Sequence, residues 1–173
     1  HLGGLYGALI DCKLARQTDG VFMLRIEDTD TKREVESAVD IIVSSMHRFG
    51  LGYNNDDAYG PYYQSQRRDI YHSVAAHLMA TGRAYPCFLT ATDMEKIREN
   101  QKAAGFATGI YGEFARDRDL TDDEIAARLD AGEKPSVRLY SEGNPERRIF
   151  CKDAVRGSIG FPENNEDVVL IKS

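Results

Sequence analysis

The sequence predicts an α/β fold, in which part of a doubly wound parallel sheet is joined to an α+β insertion. Helical and strand patterns alternate over residues 1–84, which is typical of a sheet with helices on both faces. A continuous apolar run at residues 21–24 follows the turn residues Asp19 and Gly20 and predicts a strand buried on both faces. Beyond residue 85, short β-rich runs are separated by Gly, Asn and Pro, which predicts the α+β part.

The first part contains three segments in which apolar residues recur at helical spacing. We predict helices over residues 3–20 and 33–50, each closed by a glycine, and over residues 66–82, with Ser65 as the N-cap. The predicted inward faces consist of Leu5, Ala8, Leu9, Cys12 and Ala15, then Val35, Ala38, Val39, Ile42, Met46 and Phe49, and finally Ile70, Val74, Ala75 and Leu78.

The insertion begins with two helix signals of the capping-box type, Thr92 with Glu95 and Thr121 with Glu124. The second of these helices is predicted to end at Gly132. Three strand-like runs follow, at residues 136–140, 148–155 and 167–173.

Composition limits the class of protein. The chain has 173 residues, of which 42% are hydrophobic, enough to bury the core of one domain or slightly more. No apolar run reaches the length of a membrane span and no signal-peptide pattern is present, so we expect a cytoplasmic protein with no membrane partner. Cys12, Cys87 and Cys151 are expected to be reduced, buried thiols. A net charge of -6 argues against a general nucleic-acid coat, so any RNA would need a local basic patch.

Two groups of residues point to ligand chemistry. Gly3 and Gly4 follow His1 at the entrance to the first helix, where backbone N–H groups and the helix dipole favour a phosphate. Glu27 lies in the acidic tip of the predicted strand, and ligands of open α/β sheets bind beyond such carboxyl ends. One site could therefore hold both a phosphate and a cation.

Each group also has a plainer interpretation. An exposed terminal histidine is usually just solvated, and Thr29 or Asp30 could cap the helix that follows. The oxygens of Glu27, Asp28 and Asp30 could also hold a divalent cation, an interpretation that ranks below the others because only these ligands cluster.

Five motifs together resemble one family. They are "HLGG" at residues 1–4, "RIEDTD" at 25–30, "GPYYQSQR" at 60–67, "AYPCF" at 84–88 and "DAVRGSIGF" at 153–161. In this order they resemble the catalytic domain of bacterial-type glutamyl-tRNA synthetases, a family of class I aminoacyl-tRNA synthetases. The likeness covers essentially the whole chain. The tip reads Glu-Asp-Thr-Asp, whereas glutaminyl and archaeal-type relatives usually read Asp-Asp-Thr-Asn, which favours the bacterial glutamyl branch.

This resemblance implies the substrates and the residues that would bind them. The substrates are ATP with Mg²⁺, L-glutamate and tRNA(Glu). His1, Gly3 and Gly4 would bind the ATP phosphates, and Glu27 would bind the α-amino group of glutamate. No side chain stands out as a general base, so we predict no catalytic residue in the strict sense.

The resemblance also implies a division of the chain. Residues 1–84 would form the first half of a Rossmann-like nucleotide-binding domain, residues 85–166 a connective insertion that binds the tRNA acceptor end, and residues 167–173 a strand that returns to the catalytic domain. We expect a monomer.

Three arginines are candidates for contact with tRNA. Arg67, Arg147 and Arg148 could each contact a tRNA phosphate. The alternative for each of them is a solvated surface arginine.

The sequence departs from the family in two respects. The segment before the histidine and the lysine-rich KMSKS loop have no counterpart in residues 1–173, and the last strand-like run stops in mid-pattern, so we expect an incomplete catalytic fragment that is inactive by itself. Many relatives carry a zinc site in the insertion. Here only Cys87 remains, because Leu89 and Ala115 stand at the other expected ligand positions, so we expect no zinc.

Two other functions stay open. The chain could be a non-catalytic module that binds ATP or the tRNA acceptor end. It could also be a paralogue that glutamylates a modified tRNA base, which the sequence disfavours because such proteins tend to carry a bulkier residue in place of Thr29 and a shorter insertion.

Overall fold

The structure is a computed structural model that describes residues 2–29 and 37–173. The chain divides into two compact units, His1–Ile70 and Tyr71–Ser173, called unit 1 and unit 2 below. Both helices and strands are present, so the prediction of a mixed α/β chain is confirmed at that level. The functional boundaries expected at residues 84 and 166 stay predictions. Among the described residues, no helix is both long and apolar enough to cross a membrane.

The described residues of unit 1 include two helices, an extended segment and the start of a third helix. Helix α1 spans Leu2–Gln17 and helix α2 spans Ala38–Arg48, while Asp57–Tyr59 and Gln64–Arg67 form short 3₁₀ turns. Its small core consists of Cys12, Met46 and Leu51, against which lie the partly buried Leu5, Ala8, Phe22, Leu24 and Tyr53. The first predicted helix is confirmed, and so is the glycine after the second, Gly50, at a φ of 68°. Val35 lies outside the described residues.

The extended segment 21–29 differs from its prediction. Phe22, Leu24 and Ile26 are partly buried, whereas Val21 and Met23 are 67% and 51% exposed. Successive side chains of an extended chain point to opposite faces, and only one of these faces packs on the core of unit 1. The prediction of a strand buried on both faces is therefore wrong for this segment. Within the described part of unit 1, its regular pairing is limited to one parallel bridge, between Ile26 and Tyr63.

Helix α3 spans Arg68–Ala80 and starts after the 3₁₀ turn, so Ser65 is not its N-cap. Its predicted inward face is confirmed only in part. Ala75 is buried and Leu78 is partly buried, but Ile70 and Val74 are 42% and 52% exposed. The spacing of apolar residues shows which face of a helix is apolar. It does not show whether the segment that packs on that face belongs to the same chain.

Unit 2 contains a three-stranded antiparallel sheet and a separate hairpin. The strands span Ala84–Cys87 (β1), Ser136–Leu139 (β2), Arg148–Asp153 (β3), Gly157–Pro162 (β4) and Val169–Ile171 (β5). The sheet has the order β1–β2–β5, and the hairpin pairs β3 with β4. All three strand-like runs predicted beyond residue 85 therefore contain a strand.

Two further helices complete unit 2. Helix α4 spans Ala91–Ala103 and helix α5 spans Asp122–Asp130, and Gly112–Phe114 and Arg116–Asp119 form 3₁₀ turns. The capping box of Thr121 with Glu124 is confirmed. The one predicted for Thr92 with Glu95 is wrong, because Thr90 and Asp93 form the box two residues earlier.

The cysteines are all free, and two of them are buried as expected. Cys12 and Cys87 are each 2% exposed. Cys151 is exposed, because it lies on the β3–β4 hairpin, whose side chains are largely accessible.

A buried carboxylate holds unit 2 together. Asp167 is fully buried and accepts hydrogen bonds from Tyr85 Oη at 2.6 Å, from Arg118 Nε at 2.6 Å and from the backbone N–H of Ser141 at 2.9 Å. Its backbone C=O accepts from the Nη1 group of Arg138 at 2.6 Å. These contacts join β1, a 3₁₀ turn and the chain that follows β2.

The pKa of Asp167 reflects two opposed effects. Burial alone would raise this pKa, but the hydrogen bonds from Arg118, Tyr85 and Ser141, with the positive charge of Arg118, outweigh it and lower the pKa below the ordinary aspartate value. The same contact raises the pKa of Arg118, chiefly through its hydrogen bond to Asp167. Tyr85 also has a raised pKa, first because it is buried and then because it donates to the carboxylate. The pair is therefore ionised and the tyrosine neutral at neutral pH.

We expect Asp167→Asn to lower the free energy of unfolding by about 3 kcal/mol, because it leaves the guanidinium of Arg118, whose side chain is 14% exposed, without its counter-charge. Urea denaturation followed by circular dichroism measures the change. The matched control is Asp130→Asn, at an exposed position at the end of α5, with an expected change below about 0.5 kcal/mol. Equal urea midpoints for Asp167→Asn and the wild type would contradict this role.

The same variant should change the response to acid. Because the pKa of Asp167 is lowered in the folded protein, its stabilising contribution is complete above the unfolded-state value of about 3.9 and is lost as the pH falls through the folded-state value. The stability of Asp167→Asn should therefore fall less steeply than that of the wild type below about pH 4. Parallel acid-unfolding curves would show that the carboxylate does not titrate as proposed.

Candidate active site

The predicted phosphate site lies at the start of α1. Gly3 and Gly4 are in its first turn, where backbone N–H groups point out of the helix, and this turn contains no acidic residue. A Cβ atom on Gly4 would meet nothing within 4 Å among the described residues, so packing does not require glycine there. Close approach of a phosphate to Gly4 stays a prediction. His1 lies outside the described residues.

The acidic tip is held by the motif at residues 60–67. The backbone N–H of Ile26 donates to Tyr62 O at 2.8 Å, and the N–H of Gln64 donates to Ile26 O at 2.9 Å. These two hydrogen bonds form the parallel bridge between Ile26 and Tyr63. The two sequence motifs, which are far apart along the chain, thus lie side by side in unit 1.

Asp28 secures this arrangement. Its carboxylate accepts from the backbone N–H of Ser65 at 2.8 Å and from Ser65 Oγ at 2.5 Å, across 37 residues of sequence. The hydrogen bonds from Ser65, first its hydroxyl and then its N–H, lower the pKa of Asp28. Asp28 thereby caps the first turn of Gln64–Arg67, a role that the sequence analysis did not foresee.

The predicted cap at Thr29 is wrong. Its hydroxyl donates to Gln64 Oε1 at 3.0 Å, in the same contact region as Asp28. Helix α2 begins well after Thr29, and its N-cap residue, Ser37, makes no side-chain capping hydrogen bond. Asp30, the other predicted cap, lies outside the described residues.

Glu27 points away from these contacts. Alternation along the extended segment places its side chain on the opposite face from Asp28 and on the same face as Arg25. Glu27 Oε1 accepts from Arg25 Nε at 2.7 Å, and the two side chains are 54% and 55% exposed. The carboxylate is therefore accessible to a cation, and Arg25 is a neighbour that the sequence analysis missed although the two-residue spacing signals it.

The residues that the structure describes contain no group of three or more His, Cys, Asp or Glu side chains able to hold a metal ion. In unit 2, Cys87 and Ala115 are each 2% exposed. Burial raises the pKa of the Cys87 thiol, which disfavours the thiolate that a metal would bind. Nearby, Asp117 accepts from the backbone N–H of Phe88 at 2.7 Å.

The three candidate tRNA arginines have different surroundings. Arg67 donates from Nη1 to the carbonyl of Pro61 at 2.9 Å, and its Nε is buried with no hydrogen-bond partner among the described residues. Arg67 thus braces its own loop and is not the solvated arginine of the alternative interpretation. Arg147 and Arg148 are exposed at the base of the β3–β4 hairpin. Contact of any of the three with tRNA stays a prediction.

Comparison with known proteins identifies the family. All residues 1–173 match the family model described as tRNA synthetases class I (E and Q), catalytic domain. Glutamate-tRNA ligases of Clostridium perfringens and Acetivibrio thermocellus are 48% and 47% identical to the chain, covering 99% and 100% of it and 33% of each relative. The chain therefore spans about a third of the length of these relatives.

Solved structures agree with this assignment. The glutamate-tRNA synthetase of Elizabethkingia anophelis matches 99% of the chain, and the chain covers 36% of it, with a TM-score of 0.81 and 32% identity. A glutamate tRNA ligase of Elizabethkingia meningosepticum, in complex with its amino acid, matches 96% of the chain and is covered to 35%, with a TM-score of 0.78 and 30% identity. The resemblance seen in the motifs is confirmed, and the chain belongs to the class I tRNA synthetases of the E and Q group, within their catalytic domain.

Proposed function

We propose that this chain is part of a ligase that attaches glutamate to tRNA(Glu) through a glutamyl-adenylate, in a reaction that consumes ATP. The observation that carries the proposal is the parallel bridge at Ile26, which fixes the acidic tip beside the motif at residues 60–67 and leaves Glu27 accessible. The names of the relatives support the same substrate.

The proposed chemistry depends on positioning and charge. The α-carboxylate of glutamate attacks the α-phosphate of ATP, and pyrophosphate leaves. A hydroxyl of the terminal ribose of the tRNA then attacks the acyl carbon of the glutamyl-adenylate, the acyl–phosphate bond breaks, and AMP leaves with the proton of that hydroxyl. The first turn of α1, with His1, Gly3 and Gly4, would bind ATP phosphates, and Mg²⁺ would arrive with ATP as part of that substrate. No side chain of this chain is assigned a proton-transfer role, so fixed geometry and neutralised phosphate charge would supply the acceleration.

Glu27 would bind the substrate ammonium. In the unliganded protein its carboxylate pairs with Arg25 in an exposed ion pair, and such pairs contribute at most about 1 kcal/mol. An ammonium group could therefore share or replace this contact at little cost. Glu27 is favoured over Asp28 for this role because both carboxylate oxygens of Asp28 already accept hydrogen bonds from Ser65.

Unit 2 would contribute the tRNA side of the reaction. We propose that the insertion, residues 85–166, contacts the acceptor end, with Arg147 and Arg148 near phosphates. Residues 1–84 and 167–173 would belong to the Rossmann-like catalytic domain. A monomeric state and a cytoplasmic location are further expectations from the sequence.

A non-catalytic module is the second candidate. Five apolar side chains of α1 are between 43% and 79% exposed, namely Leu2, Tyr6, Leu9, Ile10 and Leu14. An exposed apolar surface of this kind is typical of a protein contact, and the other parts of a full-length ligase would cover it. The chain by itself would then bind ATP or the acceptor end without activating glutamate. The paralogue that modifies a tRNA base stays the least favoured candidate.

The isolated chain should show no glutamate-dependent exchange between pyrophosphate and ATP, with or without tRNA. The physical reason is that the chain spans about a third of its relatives and its sequence has no KMSKS-like loop to contact the phosphates. The exchange of labelled pyrophosphate measures this directly. Exchange above a control without glutamate would show that residues 1–173 are sufficient to activate glutamate.

Glu27→Gln, in a full-length ligase that contains this chain, should raise the KM for glutamate by about tenfold to a hundredfold, because a charge-assisted hydrogen bond is lost while size is kept. The KM for ATP should stay nearly constant, and so should the melting temperature. Steady-state kinetics with a thermal melt measures all three.

The matched comparison is Asp28→Asn. It should lower the melting temperature more than Glu27→Gln does, because it weakens the two contacts with Ser65. An unchanged glutamate KM for Glu27→Gln would defeat the ammonium-binding role.

Purified protein should contain well under one zinc per chain. With Leu89 and Ala115 at the expected ligand positions and Cys87 buried as a thiol, too few ligands remain for a tetrahedral site. Chelators should leave the melting temperature unchanged. Stoichiometric zinc by elemental analysis would contradict this expectation.

A further inference from the structure

We propose that the β3–β4 hairpin carries a stacking platform for an unpaired RNA nucleotide, formed by the ring of Phe150 between Arg148 and Lys152. The proposal rests on the proposed function for its RNA partner. It assigns a role to an aromatic side chain that the motifs do not mark.

The pairing of the hairpin places these three side chains on one face. Within β3, residues 148, 150 and 152 are two apart, so their side chains point to the same side of the ribbon. In the register of the hairpin, Phe150 lies opposite Gly160, Arg148 opposite Pro162 and Lys152 opposite Ser158. The β4 side of this face therefore contributes only small or flat residues.

Gly160 lets the aromatic ring lie against the backbone. A Cβ atom at this position would lie 2.8 Å from Phe150 Cε1 and 3.1 Å from Arg148 Nε. Both side chains therefore cover the bare backbone of Gly160, whose carbonyl oxygen also accepts a hydrogen bond from Arg148 Nη2. The ring is supported from below and is still 69% exposed.

An exposed ring between two cations fits a nucleotide. A base stacks on the free face of an aromatic ring, and nearby Arg and Lys side chains attract its phosphates. Residues 147–162 contain four cations, Arg147, Arg148, Lys152 and Arg156, and one carboxylate, Asp153, within a chain of net charge -6. The carboxylate is already engaged, because it accepts hydrogen bonds from two backbone N–H groups of the hairpin turn. The faces of a base are accessible for stacking when its nucleotide is unpaired, whereas in a double helix the neighbouring bases cover them. The ligand is therefore an unpaired nucleotide.

The opposite face of the same hairpin is different and supplies a control. By the same alternation it carries Ile149, Cys151, Asp153, Ile159 and Phe161, and none of these is a cation. Phe161 is 51% exposed, so its ring matches Phe150 in type and approximate exposure while lacking flanking cations on its own face.

The test compares two RNAs by fluorescence anisotropy with the 173-residue chain. One is a tRNA(Glu) transcript, and the other is the same transcript without its unpaired 3′ nucleotides. Phe150→Ala should weaken binding of the complete transcript by about fivefold to 150-fold, the usual range for loss of one stacked base, and should hardly affect the shortened one. Phe150→Tyr should bind like the wild type, and Phe150→Leu should behave like Phe150→Ala because it keeps apolar bulk without a ring.

Two further variants separate stacking from folding. Phe161→Ala should stay within about twofold of the wild type on both RNAs. Gly160→Ala should weaken binding of the complete transcript in the same direction as Phe150→Ala, because its methyl group displaces the ring. Circular dichroism melts of all variants show whether the hairpin is still formed.

Several results would overturn the platform. They are equal affinity of Phe150→Ala and the wild type for the complete transcript, an equal loss on both RNAs, and the absence of RNA binding by the wild-type chain. Loss of self-association in both Phe150→Ala and Phe161→Ala, without an effect on RNA, would assign the hairpin to contact between copies instead. Failure of the proposed function would give a different result. If Phe150→Ala weakens binding of the complete transcript alone, but a full-length protein that contains this chain does not glutamylate tRNA, the platform is retained and the ligase function is rejected.

Discussion

Residues 54–64 bond five backbone groups of the extended segment 21–29, and the geometry of the candidate site depends on this constraint. Asn54 N–H donates to Phe22 O at 2.7 Å, and the side chain of Asn55 bonds both the N–H and the C=O of Leu24 at 3.0 and 2.9 Å. The bridge at Ile26 and the contact of Asp28 continue the same series. Because unpaired backbone groups are costly when shielded from water, a shift of this loop by one residue would break the whole series. The register of the loop therefore fixes where the acidic tip ends.

The neighbouring carboxylates of Glu27 and Asp28 have different surroundings because successive side chains of the extended segment point to opposite faces. Asp28 faces the loop, has both oxygens occupied and has a lowered pKa, so it acts as part of the scaffold. Glu27 faces the other way, where it forms a half-exposed ion pair with Arg25. A ligand that carries a positive charge would thus meet Glu27 without disturbing the series that holds the segment. This separation of roles explains why one acidic motif can serve both structure and binding.

Local signals were predictable from the sequence, and contacts between distant segments were not. Thr121 and Glu124 match the usual capping-box pattern, which has Glu or Gln at the third helical position. Thr90 with Asp93 forms the same two hydrogen bonds with the shorter aspartate, which that pattern does not include. The run at residues 116–119 has the composition of a solvated turn, yet Asp117 is 6% exposed and Arg118 pairs with Asp167, 49 residues away. For Arg67 the sequence likewise offers only a tRNA contact or a solvated arginine, because its partners are carbonyls of its own loop that no pattern marks. For the candidate site, the sequence motifs indicate which residues bind a ligand, but they do not indicate that Asp28 bonds to Ser65.

The buried network of unit 2 also bears on the hairpin that the sequence places between β2 and β5. Ser141, before the hairpin, is bound to Asp167, after it, and Ser141 Oγ donates to Asn164 O at 2.5 Å. At Gly143 a Cβ atom would lie 2.0 Å from Asn164 O, so the two chains that lead into the hairpin approach as closely as backbone allows. Buried ion pairs often add little net stability, but separating the two partners would leave an uncompensated buried charge, which favours the arrangement in which Asp167 and Arg118 meet. The carboxylate of Asp167 therefore fixes the base of a hairpin whose own side chains stay accessible, and a fixed base lowers the entropy cost of presenting those side chains to a partner.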